Sequence, residues 1–510
     1  MRPAYLASTI RAAEERALEV VAEGALMQRA AAGLATHLGR FLREQRGKAY
    51  AARVLFAVGS GNNGGDALYA AARLAARGVR VAAWLTSDRV HQGGWAAFRR
   101  AGGRRLTPVQ AIAALPEVDL VVDGVLGIGG RAGLPDQVAV FASACRDLDV
   151  PVAAVDLPSG LDADSPGRGG GESFAARYTV TFAGLKLCHV LEPAASRCGR
   201  IEIVDIGVAL PEPDVRCWGE ADLAAHWPFP GASSDKYSRG VVGIDAGSAT
   251  YPGAGVLVAL GAANAGAGMV RFLGHEASAD LIRHRLPNVV TAVGRVQAWV
   301  LGSGWGDRPD GAARVREAVA TGLPVLIDAD GLRHLPPDGL ESALLTPHAG
   351  ELAALLGVTR AEVETDPITA ARAAASRWRT TVLLKGATQY VAERHGAISL
   401  ALPGPAWTAQ AGSGDVLAGI CGSLLAAGLS PRQAALAGAS VQALVARQHS
   451  GPFPPSRAVD DLPAWWLAFD LEVFDRSKLS CSCASRVRAA WSLALDRAKP
   501  YCAHTALLPL

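Results

Sequence analysis

Residues Val54-Leu-Phe-Ala-Val-Gly-Ser-Gly-Asn-Asn-Gly-Gly-Asp66, followed by the Ala-rich run Ala67–Ala76, decide the fold of the first half of this 510-residue chain. The unbroken apolar run Val54–Val58 reads as a strand covered on both faces, as in a parallel sheet. The Gly-rich turn delivers the chain into a helix, and its free N–H groups and helix N-terminus form a geometry that receives phosphate. A plain tight turn closed by Asn and Asp side chains is the other reading, and adjacent Asn62 and Asn63 before Gly64-Gly65-Asp66 are less common in one. The Rossmann glycine fingerprint is absent, because Asn62 and Asn63 interrupt it and no acidic ribose partner stands at the expected spacing.

Outward from this stretch the pattern repeats. Val79–Leu85, Leu120–Val122, Val152–Val155 and Tyr178–Phe182 read as further strands separated by Ala-rich helical patterns. Strand alternating with helix predicts an α/β domain with a doubly wound, Rossmann-like parallel sheet. Ligands in such sheets sit outside the strand C-termini. Asp123 ends one strand and enters the Gly-rich loop Gly124–Gly133, and Asp156 ends another and enters Leu157-Pro-Ser-Gly160. Either Asp alone is explained by a cap or an Asx turn. Three Asp- or Asn-bearing loops at three strand ends point instead to one cleft.

Upstream, Leu18, Val21, Ala22, Ala25 and Leu26 form an apolar helical stripe. Downstream, Pro211, Pro213, Pro228 and Pro230 punctuate a stretch without strong period, which reads as an inter-domain linker. A second alternating series runs from Val241 to His449. Its clearest strands are Ala298–Leu301, Pro324–Ile327, Leu344-Leu345 and Thr381–Leu384. Helices are expected at Ala254–Gly268, Gly350–Leu356, Ile368–Trp378 and Asp415–Ala427. The division expected is a first α/β domain over 1–212, a second over 225–456 and an unassigned tail over 457–510, where Trp465-Trp466, Cys481-Ser-Cys483 and Trp491 match no motif.

Composition bounds the rest. Half the residues are hydrophobic and 19% are charged, which excludes a mainly disordered chain. Net charge is +3, so neither a nucleic-acid partner nor an acidic membrane surface is required. Met1–Ile10 lacks the pattern of a signal peptide, and the uncharged stretch Ala246–Val270 reads as a Gly-lined loop plus helix rather than a membrane span. Eight Cys without a CxxC motif suit reduced thiols, so a cytoplasmic location is expected.

The strongest single motif of the second half is Gly412-Ser-Gly-Asp415 opening a helix. Small residues there let backbone amides face a transferring phosphoryl group at a helix N-terminus, and Asp415 can take a proton from an attacking hydroxyl. An acidic residue that merely satisfies the helix dipole is the plainer reading. Thr346-Pro-His-Ala-Gly-Glu351, Leu384-Lys-Gly-Ala-Thr388, Ile327-Asp-Ala-Asp-Gly331 and Gly247-Ser-Ala-Thr-Tyr-Pro-Gly-Ala-Gly255 supply further loops, most of them at strand ends. His348 alone reads more readily as a structural or capping histidine than as a catalytic one. No HExxH or Cys/His cluster argues for zinc, and neither a Walker A sequence nor the protein-kinase motif set is present.

Gly61-Asn-Asn-Gly-Gly-Asp66, the Asp123 loop, Val155-Asp-Leu-Pro-Ser-Gly160 and Phe182-Ala-Gly-Leu-Lys186 together resemble the NAD(P)H-hydrate epimerase family over about residues 1 to 210. That resemblance implies interconversion of the R and S hydrates of the reduced nicotinamide cofactors, NADHX and NADPHX. It implies a ligand held by Asn62, Asn63, Gly64, Gly65 and Asp66 and by Gly127, Ile128, Gly129, Gly130, Arg131, Ala132 and Gly133. Asp156 is then the catalytic carboxylate beside the reacting ring. K⁺ is implied on Asn63, Asp123 and Ser159, oxygen donors that suit a hard cation. A phosphate contact for Lys186 and an exposed structural role are equally open.

The second half resembles the ribokinase-like superfamily, and within it the ADP-dependent NAD(P)H-hydrate dehydratases, over about residues 232 to 456. The matching pieces are Gly247-Ser-Ala-Thr-Tyr-Pro-Gly-Ala254, Thr346–Glu351 and Ala409-Gln-Ala-Gly-Ser-Gly-Asp-Val-Leu-Ala-Gly419. By resemblance, ADP phosphorylates the hydrate hydroxyl, phosphate leaves to restore NAD(P)H, and AMP remains. Ala254, Gly304, His348 and Asp415 are implied to contact the hydrate, and Lys385, Gly386, Ala387, Thr388, Gln389 and Gly414 to hold the nucleotide. Asp415 is implied as the base and Mg²⁺ as counter-cation. A homo-oligomer is expected. Ser303 stands where the family usually has Pro, Trp305 is bulky for its loop, and Asp235 stands where His is common.

Two other functions fit the residues less fully. One is a small-molecule kinase with a non-catalytic nucleotide-binding N-terminal domain. The other is a nucleotide sensor without turnover, which would not need the base at Asp415.

Overall fold

The computed structural model describes residues 1–167, 171–464 and 466. It contains the expected α/β architecture, built on two sheets.

The first sheet has seven strands, in the order Arg104–Leu106, Arg80–Leu85, Arg53–Val58, Leu120–Gly124, Val152–Val155, Tyr178–Phe182 and Arg200–Val204. Every neighbouring pair is parallel. The unbroken apolar run Val54–Val58 has a direct cause. Val54, Phe56 and Val58 pack into one core with helices Ala25–Arg46 and Asn62–Ala75, while Leu55 and Ala57 pack into the opposite core with Trp84 and Phe141. Burial on both faces removes the polar alternation of a half-exposed strand.

The N-terminal stripe is not one helix. Ala7–Leu18 and Ala25–Arg46 are separate helices, with Gly24 at φ 75° where the second begins. Leu18 and Val20 are exposed at the break, so apolar spacing alone joined two elements that meet at a left-handed glycine.

The second sheet has eleven strands. Met269–Phe272, Val241–Asp245, Ala298–Leu301, Val325–Ile327, Ala343–Leu345 and Thr381–Leu384 run parallel, and Tyr390–Ala392 and Ile398–Leu400 follow antiparallel. The sheet then continues into the other half of the chain through Val215–Cys217, Arg2–Tyr5 and Leu185–Lys186. The Pro-punctuated stretch is therefore not a plain linker. It contributes the strand Val215–Cys217, in register with Ser399 and Leu400, and the helix Glu220–His226. Three residues are too few to show a period, and this strand exists because the edge at Ile398–Leu400 offers it hydrogen bonds.

Helix Pro252–Asn264 crosses helix Ser413–Ala426 in close contact. A Cβ at Gly261 would stand 2.3 Å from the Val416 carbonyl, and one at Gly419 2.0 Å from that of Val258. Residues 455–464 are helical, and Ala458, Val459, Leu462 and Trp466 join the core that Val416, Ile420 and Val445 form beside the larger sheet, with the Trp466 ring tilted 37° to that of Trp227 at 4.2 Å. Trp465, Cys481, Cys483 and Trp491 lie outside the described residues. Among the described residues no helix is long and apolar enough to cross a membrane.

Candidate active sites

In the seven-stranded sheet Val58 lies beside Gly124 and Asp123 beside Ala154, so the loops after these strands leave the same edge. The turn at Gly59 and Gly64 is closed by backbone contact. A Cβ on Gly59 would stand 1.9 Å from the Val125 carbonyl, and one on Gly64 2.1 Å from that of Gly59. Gly59→Ala is therefore expected to lower stability by about 1–3 kcal/mol and to reduce ligand binding in this cleft. Denaturant unfolding and a binding titration measure both effects.

These loops and the two N-terminal helices enclose a cavity of about 690 Å³, ample for a small-molecule ligand. Asn62, Asn63, Asp66, Gly127, Ile128, Gly129, Gly130 and Asp156 line it. Gly64 and Gly65 are buried in the helix behind, and Arg131 and Ala132 are exposed further along the loop. Gly133 binds the Gly160 carbonyl through its N–H at 2.9 Å. Arg11, Glu14 and Met27 also line the cavity and belong to no motif. Only packing of the N-terminal helices over the sheet edge brings them there.

Asp156 sits at φ 68°, a strained conformation for a residue with a side chain. Its N–H bonds the Val180 carbonyl at 2.8 Å. Lys186, on the last strand of the other sheet, is fully buried. Its ammonium donates to Asp156, to Thr181 Oγ1 at 2.8 Å and to the Phe182 carbonyl at 3.0 Å. Thr181 Oγ1 donates to Asp156 at 3.0 Å. Neither open reading of Lys186 holds, since the side chain is neither exposed nor available for phosphate. Burial by itself would raise the Asp156 carboxyl, but the Lys186 ammonium outweighs it and holds the group below the usual carboxylate range.

Asp66 has the opposite surroundings. It is buried, and its Oδ1 has no hydrogen-bond partner. Burial first, then the charges of Asp156 and Glu14, pushes its carboxyl well above the usual range. Burial likewise raises Glu14.

Asp123 is wholly buried and accepts from Ser159 N at 2.7 Å, Ser159 Oγ at 2.6 Å and Val125 N at 3.2 Å. These partners are all neutral, and burial pushes the carboxyl up to about 6. The Asn63 amide faces Gly127, and its Nδ2 is buried without a partner. One uncompensated carboxylate among amide and hydroxyl oxygens is a donor set for a large hard cation. Among the described residues no group of three or more His, Cys, Asp or Glu is arranged to hold a metal.

In the larger sheet, Asp245, Leu301, Ile327 and Leu345 lie level at successive strand ends. Asp328, buried, gathers the adjoining loops. It accepts from Lys385 Nζ at 2.6 Å, Thr346 Oγ1 at 2.8 Å and Ser303 Oγ at 2.9 Å. A Cβ on Gly414 would stand 3.1 Å from Lys385 Nζ, and one on Gly304 2.4 Å from Ala254 Cβ. Each pair therefore meets across two elements.

Asp415 lies in the first turn of Ser413–Ala426. Burial, then the charge of Asp328, pushes its carboxyl up to about 7, although Lys385 and Ser303 pull it down. Burial opposes charge on Lys385, yet Asp328, Glu351 and Asp415 hold its ammonium above the ordinary lysine value.

His348 caps helix Ala349–Leu356, with Nδ1 accepting from Gly350 N at 3.0 Å and Glu351 N at 3.1 Å. Its backbone bridges to Lys385, which brings these two loops side by side. Gly386 and Ala387 are exposed on their loop, Gln389 has a buried Oε1 without a partner, and the Thr388 hydroxyl accepts from Glu192 N at 2.8 Å. Ser303 is absorbed by its bond to Asp328. Trp305 turns into the core, where its Nε1 donates to the Asp245 carbonyl at 2.9 Å and Arg308 covers the ring. Asp235 caps a turn, accepting from Tyr237 N and Ser238 N.

Comparison with known proteins bears on both halves. Residues 23–188 match a family described as YjeF-related protein N-terminus, and residues 242–457 match NAD(P)H-hydrate dehydratase. A bifunctional NAD(P)H-hydrate repair enzyme from Mycobacterium tuberculosis is 46% identical over 447 residues, spanning 85% of this chain and 91% of the relative. The enzyme of that name from Mycobacterium leprae is 45% identical over 448 residues, with the same shares of each chain. A solved ADP/ATP-dependent NAD(P)H-hydrate dehydratase from Bacillus subtilis, co-crystallized with ATP/Mg²⁺, is 26% identical and covers 50% of this chain and 99% of its own, with a TM-score of 0.48.

Proposed function

We propose a division of labour between the two sites on the premise that this chain belongs to the bifunctional NAD(P)H-hydrate repair enzymes. The protein epimerises R and S hydrates and dehydrates the S hydrate to NAD(P)H at the expense of ADP. The first cleft takes the hydrate, with the Asn62–Asp66 turn and the Gly127–Gly133 loop around it and Asp156 beside the ring. Asn63, Asp123 and Ser159 would hold K⁺, a reading supported by the uncompensated Asp123 carboxyl. When bound, the ion supplies the missing positive charge.

The second cleft takes both substrates. Ala254, Gly304 and His348 face the hydrate, and Lys385 to Gln389 with Gly414 hold ADP. Asp415 takes the proton of the C6 hydroxyl as that oxygen receives the phosphoryl group. Amides at the start of Ser413–Ala426 face the charge that develops. Cleavage of the C6–O bond, pushed by the ring nitrogen, releases phosphate, and loss of a C5 proton restores the double bond. Mg²⁺ would rest mainly on the ADP phosphates, with Glu351 the carboxylate whose charge reaches both Lys385 and Asp415. When bound, it neutralises phosphate charge. Buried free cysteines suit a reducing, cytoplasmic setting, and the family resemblance extends the reading to a homo-oligomer.

The observation that carries this reading is the Asp415 carboxyl, held near neutrality beside Gly414 and Lys385 at a helix N-terminus. The test is incubation with S hydrate and ADP across pH. Reduced-nicotinamide absorbance and AMP should rise in equal amounts. The base must be ionised, so kcat should climb as pH rises through about 7. ATP in place of ADP reads donor preference. AMP formed with another acceptor, and no restored absorbance, would leave only the small-molecule kinase.

A further inference from the structure

We infer that Asp66 is the proton donor and acceptor of the epimerase reaction, and that Asp156 serves as a fixed anion beside the ring. The inference deepens the epimerase reading and rests on it.

Two aspartates line one cavity, and their surroundings differ sharply. Asp156 is committed. It accepts from Lys186 and Thr181, and the Lys186 ammonium spends its hydrogen bonds on Asp156, Thr181 and the Phe182 carbonyl. A carboxylate tied to a buried ammonium holds no proton to give near neutrality. Asp66 is uncommitted. It is 8% exposed, sits in the second turn of helix Asn62–Ala75, and keeps an Oδ1 that bonds nothing in the protein.

The charged and titratable groups around Asp66 come from each element packed on it. Asp156, with Lys186 behind it, stands at the strand end. Glu14 and Arg11 reach in from helix Ala7–Leu18. His91 lies against Gly65. The nearest anions, Asp156 and Glu14, both oppose ionisation of Asp66, as burial does. Two carboxyls pushed apart in this way divide into a neutral acid and a permanent anion.

The step balances without an oxidant or reductant. The Asp66 carboxylic acid gives its proton to the C6 hydroxyl oxygen, the C6–O bond breaks, and water departs. The lone pair of ring N1 becomes the N1=C6 bond, and the Asp156 charge favours that cation. A water then adds to C6 from the opposite ring face, the N1=C6 pair returns to N1, and the proton lost by that water returns to Asp66.

Asp66→Asn keeps the shape and removes the proton. On R hydrate its epimerase kcat should fall roughly 10²- to 10⁴-fold with KM little changed. Dehydration of pure S hydrate by the same sample should stay at the wild-type rate, which reports an intact fold. Wild-type epimerase kcat should decline as pH rises and Asp66 ionises. Asp156→Asn should keep that decline, and Asp66→Glu, which retains an acid, should recover activity over the Asn variant. A wild-type kcat in Asp66→Asn, a loss confined to KM, or equal loss in the Asn and Glu variants would overturn the assignment. The wild-type epimerase rate tests the underlying reading separately, because its absence would remove the reaction itself.

Discussion

Asp415→Asn lowers the dehydratase kcat on S hydrate by roughly 10²- to 10⁴-fold, the usual worth of a positioned general base, and leaves epimerisation at its wild-type rate. The reason lies in the surroundings of one carboxyl. Burial and the Asp328 charge raise it to about 7, while Lys385 limits the rise. A base with that affinity can accept a proton from a hydroxyl near neutrality and remain ionised in a useful fraction of molecules. Asn preserves the helix N-terminus and the packing of Gly414 on Lys385, so binding survives and the proton transfer does not. Single-turnover measurement with ADP in excess reads the chemical step directly. A variant that keeps wild-type kcat would remove Asp415 from the reaction and leave it a residue that satisfies the helix dipole.

Lys186→Met should cost about 3–5 kcal/mol of stability, because it strands a charge that the fold has buried. Asp156 and Lys186 are both almost fully excluded from solvent, and Met fills the volume without neutralising the carboxylate. The epimerase should lose activity with it, since the anion beside the ring then becomes protonated or displaced. Urea unfolding of Lys186→Met, Asp156→Asn and the double variant gives the coupling between them, and the double variant should recover part of the single loss. The sign of the pH effect follows from the direction of the Asp156 shift. Its folded carboxyl is held below the ordinary value, so the pair contributes fully above the ordinary carboxylate range and is lost as pH falls through the folded value. Lys186→Met should therefore flatten the acid side of the stability curve. An unchanged acid limb with unchanged stability would show that the pair carries neither.

Lys186 also shows where reading a chain in order stops short. The residues around it, Phe182-Ala-Gly-Leu-Lys186, were legible as a motif, and a long basic side chain near a cofactor site suggests phosphate. In the fold Lys186 is part of a two-residue strand paired to Arg2–Tyr5 at the end of the eleven-stranded sheet, and its head is buried on Asp156. Asp66 is the converse case. It was legible as a member of the Asn62–Asp66 turn, yet its unpaired oxygen shows only in the fold, and one of its acidic neighbours, Glu14, stands fifty-two residues upstream. Val215–Cys217 was illegible as a strand because three residues carry no period, and its pairing is fixed by a partner strand far along the chain.

By itself the sequence determined the local rules: strands apolar throughout because both faces are covered, glycines where backbones close to contact, and Asp or Asn at strand ends where a parallel sheet presents its ligands. These follow from short-range sterics and periodicity, which neighbouring residues encode. Only the tertiary structure decided which carboxyl keeps its proton, which lysine is spent on a buried partner, and that strands of the first half complete the sheet of the second. Charge and desolvation act through space, so Asp66, Asp156 and Asp415 acquire different affinities for a proton from neighbours that no local spacing records.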